Sequence, residues 1–84
     1  MTAAALTAEQ VSLAITLPQH EPDLYQTERA ELRALVGAGY ACEWPPSTRR
    51  YCLTTPGANA VIAWLRLHGH DAAARVFERA REAA

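Results

Sequence analysis

Lysine is missing from the chain, so all eight basic residues are arginine. With alanine also abundant, this reads as a compositional bias toward Ala and Arg. An arginine here is not marked as functional merely because it is not lysine. A surplus of charge is missing too, since the formal net charge is −1. Non-specific nucleic-acid binding needs Lys and Arg to replace phosphate counterions, so this balance weighs against it. No apolar run approaches the roughly 20 residues that span a bilayer. The N-terminus has no basic flank before its apolar stretch, so no signal peptide is expected and a cytoplasmic location follows by default. Two cysteines are too few for a disulfide framework. There is no glycine-rich phosphate loop and no nucleophile–base constellation, so an enzyme is not expected. His20, His68 and His70 do not combine with Cys42 and Cys52 at zinc-ligand spacing, and neither metal nor cofactor is expected. His68-Gly69-His70 reads more simply as a helix end and loop.

What is present is an ordinary globular composition, 50% apolar and 20% charged over 84 residues. That length makes one domain. Such a domain buries only around 60% of its unfolded surface, so dimerisation would add useful stability. Charge is distributed unevenly. Residues 1–44 hold Glu9, Glu21, Asp23, Glu28, Glu31 and Glu43 against Arg29 and Arg33, giving −4. Residues 45–84 hold six arginines against Asp71, Glu78 and Glu82, giving +3.

Residues 1–5 and 82–84 are expected to be frayed ends. Thr7 and Gln10 form a capping-box pattern, with Leu6 and Val11 as a hydrophobic staple, and predict a helix over 6–17. Val11, Leu13, Ala14, Ile15 and Leu17 supply its apolar side, and Pro18 stops it. Pro18–Pro22 reads as a rigid connector, with Asp23 capping a short turn that contains Leu24 and Tyr25. Thr27 is the candidate N-cap of a second helix. Leu32, Leu35 and Val36 share one face of it with Ala30 or Leu24, and Gly37 or Gly39 ends it.

Residues 40–44 and 49–53 read as two strands with Pro-Pro-Ser-Thr between them. Pairing Trp44 with Arg49 puts Tyr40, Cys42, Trp44, Tyr51 and Leu53 on one core-facing side, and sets Glu43 opposite Arg50. A slip of one residue would put Cys42 opposite Cys52 and scatter the apolar set. The first register is therefore expected, with the sulfurs on opposite faces and no disulfide. Thr55-Pro56 starts a third helix through Val61, Ile62, Trp64, Leu65 and Leu67, apolar on more than one side, and Gly69 ends it. Asp71 caps a last helix with Val76, Phe77 and Ala80 inward.

Leu32-x-x-Leu35-x-x-x-Gly39-Tyr40 and Arg50-Tyr51-x-Leu53-Thr54-x-x-Gly57 resemble the latter half of bacterial winged helix-turn-helix regulators of the MarR and PadR type. The resemblance covers Leu32–Leu67. It implies an α+β winged helix of about four helices with a two-stranded antiparallel hairpin, the wing, at 40–54. It also implies that Thr27–Val36 enters a DNA major groove and that the wing lies against the backbone or minor groove.

The candidate DNA- or partner-binding residues are then Arg29, Arg33, Arg49, Arg50, Trp44 and Pro46. Trp64, Leu67 and Phe77 are candidates for a homodimer interface, since tryptophan is enriched at interface hot spots. Two functions fit. One is a small DNA-binding transcriptional regulator on double-stranded DNA. The other is a winged helix that binds protein without DNA. Such a module would be a phage- or mobile-element-encoded inhibitor of a host defence complex (anti-CRISPR-like) or of a transcription complex. The recurrent use of the fold favours the first, which is the expectation; the short size, the mild acidity and the weakened helix-turn-helix favour the second as the alternative.

Overall fold

The computed structural model describes residues 5–82; most of the expected frayed ends, 1–4 and 83–84, lie outside them. The architecture is α+β, with four α-helices and a three-stranded antiparallel sheet. In order it runs α1 Ala8–Thr16, β1 Gln19–His20, a 3₁₀ turn Glu21–Asp23, α2 Gln26–Gly37, β2 Ala41–Glu43, β3 Arg50–Leu53, α3 Thr55–Leu67 and α4 Asp71–Glu82. The sheet order is β1-β3-β2, so β3 is the central strand.

Helix α1 starts on the expected capping box. Thr7 Oγ1 accepts the Gln10 N–H while Gln10 Oε1 accepts the Thr7 N–H. Val11, Leu13 and Ala14 are buried, but Ile15 is 45% exposed. Helix α2 starts two residues earlier than expected: its N-cap is Tyr25, not Thr27, and Glu28 Oε1 accepts the Tyr25 N–H. Leu32 and Leu35 are fully buried, whereas Val36 and Ala30 face solvent. The helix ends at Gly39, where φ is +79°. Tyr40 N–H reaches Leu35 O and Gly39 N–H reaches Val36 O, the paired bonds of a Schellman motif. Helix α3 closes in the same way at Gly69.

The start of α3 locks it to the hairpin. Its N-cap is Thr54 rather than Thr55. Thr54 Oγ1 accepts the Gly57 N–H and donates to Gly39 O, while Thr54 N–H bonds Tyr40 O. A Cβ on Gly57 would sit 1.9 Å from Tyr40 O, so only glycine allows this approach. Beyond it, Gly57, Ala58, Val61 and Leu65 are buried and Leu67 is exposed. In α4 the inward residue is Ala74; Phe77 is half-buried, while Val76 and Ala80 are exposed, contrary to expectation. Arg66 pairs with Glu78 and ties α3 to α4.

The hairpin register is the one the apolar pattern argued against. Ala41 pairs with Leu53, Cys42 with Cys52 and Glu43 with Tyr51. Side chains alternate across a strand. Ala41, Glu43, Tyr51 and Leu53 therefore take the core-facing side, and Cys42, Trp44, Arg50 and Cys52 the outer one. Trp44 is accordingly 62% exposed rather than in the core, and Glu43 is not opposite Arg50. The sulfurs share a face, though both cysteines are free. The expected connector supplies the third strand, with Gln19 pairing Tyr51 and His20 pairing Arg50. That strand corrects the two-stranded expectation.

Candidate interaction surface

The hairpin tip is built around the Glu43 carboxylate. Its two oxygens accept the Ser47 N–H at 3.3 Å and the Arg49 N–H at 2.9 Å. Ser47 and Arg49 both hold positive φ, at 65° and 59°, which turns their amides inward toward that acceptor. Thr48 Oγ1 donates to Pro45 O and closes the loop. Pro46 is exposed at the tip.

Three of the four candidate arginines gather around Glu21. Arg49 donates to Glu21 Oε1 at 3.0 Å. The Arg29 guanidinium donates to the backbone carbonyls of Glu21 and Pro22, at 3.3 and 3.2 Å. Arg33 is exposed and shares a shallow hollow with Glu21, Val36 and Tyr51. Arg29 and Arg49 thus hold the 3₁₀ turn between α2 and β3, Arg29 through two guanidinium hydrogen bonds and Arg49 through one. Arg50 is apart from this group. It projects from the outer sheet face, with Trp44 beside it just past the end of β2 and His20 on β1. Among the described residues Arg33 and Arg50 make no ion pair. His20 instead lies 3.6 Å from Asp23.

The acidic side chains near α2 were not foreseen as a group. Glu9, Glu28 and Glu31 line a cleft of about 520 Å³ between α1 and α2, floored by Leu13. Glu31 Oε2 is buried there without a hydrogen-bond partner. Helical spacing could have suggested that Glu28 and Glu31 share one side of α2. The proximity of Glu9 depends on how the two helices cross. The central role of Glu21 likewise had no local signal, because its partners lie far along the chain.

The candidate dimer residues are spread over α3 and α4. Trp64 is half-buried and stacked on His68, with ring centroids 3.9 Å apart, and His70 lies beyond at 6.1 Å. His68 Nδ1 is 2.9 Å from Trp64 O, so this nitrogen is the donor. Phe77 is half-buried and has the Arg81 guanidinium 6.0 Å from its ring centre. Leu67 is 83% exposed. Of the three it alone offers its whole side chain to a second molecule.

Comparison with protein-family models, with curated proteins and with solved structures finds no match to this chain.

Proposed function

We propose that the chain is a winged-helix module that acts by binding a protein partner through the outer sheet face and hairpin tip. The winged-helix reading is supported by the order helix, short strand, turn, helix, then hairpin, with the short first strand laid against the last. In that reading the 3₁₀ turn Glu21–Asp23 stands where a second helix would, and α2 is the helix that would face DNA.

The observation that carries the protein-binding reading is the commitment of Arg29 and Arg49 to the Glu21 segment. A groove reader needs such arginines free to reach bases and phosphates. The acidic cleft along α2 adds charge of the wrong sign for a phosphate backbone. By contrast Trp44, Arg50 and the Pro45-Pro46 tip are exposed together, and Trp and Arg are the side chains that most often anchor protein interfaces. A host defence or transcription complex is the class of partner in view. Dimerisation through the end of α3, around Leu67, belongs to the same proposal.

Affinity capture with the 84-residue protein tests it. Trp44→Ala with Arg50→Ala should abolish recovery of a partner that wild type retains. Equal recovery by both proteins would remove the outer face from the proposal. The DNA-regulator reading is favoured by Arg33 and Arg50, which are exposed and have no ion pair among the described residues. Fluorescence anisotropy with random duplex DNA at low salt decides this point. We expect no measurable binding. Binding that falls steeply with salt, and falls again in Arg33→Ala/Arg50→Ala, would restore DNA as the partner.

A further inference from the structure

Cys42 and Cys52 stand directly opposite one another on β2 and β3. The bonds from Trp44 N–H to Arg50 O and from Thr54 N–H to Tyr40 O flank them, two residues away on either side. Ladder bonds alternate in an antiparallel pair, so Cys42 and Cys52 are themselves a hydrogen-bonded pair with Cα atoms about 5.5 Å apart. Disulfides span Cα separations of roughly 4.4–6.8 Å. Both side chains leave from the outer face, Cys42 exposed and Cys52 half-buried, and both thiols are free. Cys52 Sγ lies 3.8 Å from Trp44 O, at the base of the exposed tip. Neither cysteine belongs to the buried core.

We propose that Cys42 and Cys52 form a redox site, closing to an intrachain disulfide by exchange with a low-molecular-weight disulfide such as oxidised glutathione. The exposed Cys42 thiolate attacks one glutathione sulfur. A Cys42–glutathione bond forms and the first glutathione leaves as its thiolate. The Cys52 thiolate then attacks the Cys42 sulfur, the Cys42–Cys52 bond forms, and the second glutathione leaves. Two protein thiols are oxidised and one disulfide is reduced to two glutathiones, which take up the two protons. The new bond crosslinks β2, which leads into Trp44, to β3, which begins at Arg50, so oxidation stiffens the outer face. An exposed cross-strand disulfide is readily reduced again, which makes the step reversible. The proposal does not depend on what that face binds.

The test is equilibration of the full chain in glutathione buffers of graded oxidation, quenching with iodoacetamide and measurement of intact mass. Wild type should convert to a monomer that has lost two hydrogen atoms and takes up no alkyl group, and dithiothreitol should return it to a doubly alkylated species. Cys42→Ser and Cys52→Ser should each give only a mixed disulfide with glutathione. Repeating the titration in denaturing urea separates the fold's contribution from that of a short loop. The equilibrium constant for closure should be about tenfold higher in the native protein. A native constant equal to or below the urea value overturns the proposal. So does a wild type that yields only mixed disulfides or crosslinked dimers. This comparison uses wild type alone, so it stands even if a serine variant does not fold.

Discussion

Gly57 carries more of the architecture than its size suggests. Its missing side chain lets α3 approach the Tyr40 carbonyl, and that carbonyl is itself held by the Thr54 N–H. Gly57→Ala must push the two apart and break that bond. The expected loss is about 3 kcal/mol or more, read as a lowered urea midpoint. Ser47 presents the opposite case. It holds a left-handed backbone that costs a side-chain-bearing residue roughly 1 kcal/mol. Ser47→Gly keeps the amide that Glu43 accepts and relieves the strain, so stability should rise by up to about 1 kcal/mol. An unchanged or lower midpoint would mean that the turn changes conformation. Neither residue could be picked out by type alone. The chain's four glycines and its serines differ in what approaches them, and approach is a property of the fold.

At the scale of elements, the helices and the two hairpin strands were legible, while the register and the third strand were not. Caps act within a turn of sequence. Thr7 with Gln10 and Gly69 therefore announced their helix ends correctly, and of the two glycines offered for the end of α2 the structure selects Gly39. Thr54 displaced Thr55 as the cap of α3 because it also bonds Gly39 O, a partner fifteen positions away. Thr54→Ala should lose about 1–2 kcal/mol, more than an ordinary cap on its Gly57 bond alone, and Thr55→Ala far less; urea unfolding of both variants compares them. The register failed for a definable reason. The apolar pattern favoured Trp44 in the core, but the Glu43 carboxylate organises a longer turn through the Ser47 and Arg49 amides. That acceptor sets the pairing one residue away from the expected one. Strand β1 escaped notice because two residues show no periodicity.

For the whole molecule, charge placement matters more than its sum. The arginines were countable in the sequence. That Arg29 and Arg49 turn back on Glu21 was not. Glu21→Ala removes the carboxylate that holds Arg49. It should cost about 1 kcal/mol, since the Arg49 end of the pair is 59% exposed and screened by solvent. It should also raise electrophoretic mobility toward the cathode by one charge without creating DNA binding. Appearance of salt-sensitive duplex binding in this variant would show that the salt bridge masks a DNA surface. The exposed Leu67 sets the expectation for association. Light scattering over a concentration series should show a dimer that Leu67→Glu shifts toward monomer; a wild type that stays monomeric throughout removes that interface.

The sequence by itself determined the four helices, the cap of α1, the glycine that ends α3 and the position of the hairpin, because those depend on neighbours within a few residues. Helical periodicity also picked out Leu32 and Leu35, which are buried, but with them the exposed Val36; on α3 it marked an apolar helix without separating the buried Val61 and Leu65 from the exposed Leu67. Tertiary structure decided the third strand, the register, the exposure of Trp44 and the meeting of Cys42 with Cys52. It also decided which arginines remain free. The third strand and the Arg29 and Arg49 contacts with the Glu21 segment rest on residues distant in the chain, whereas the register follows one carboxylate, Glu43, whose hydrogen bonds to the turn amides outweigh the preference for an apolar face.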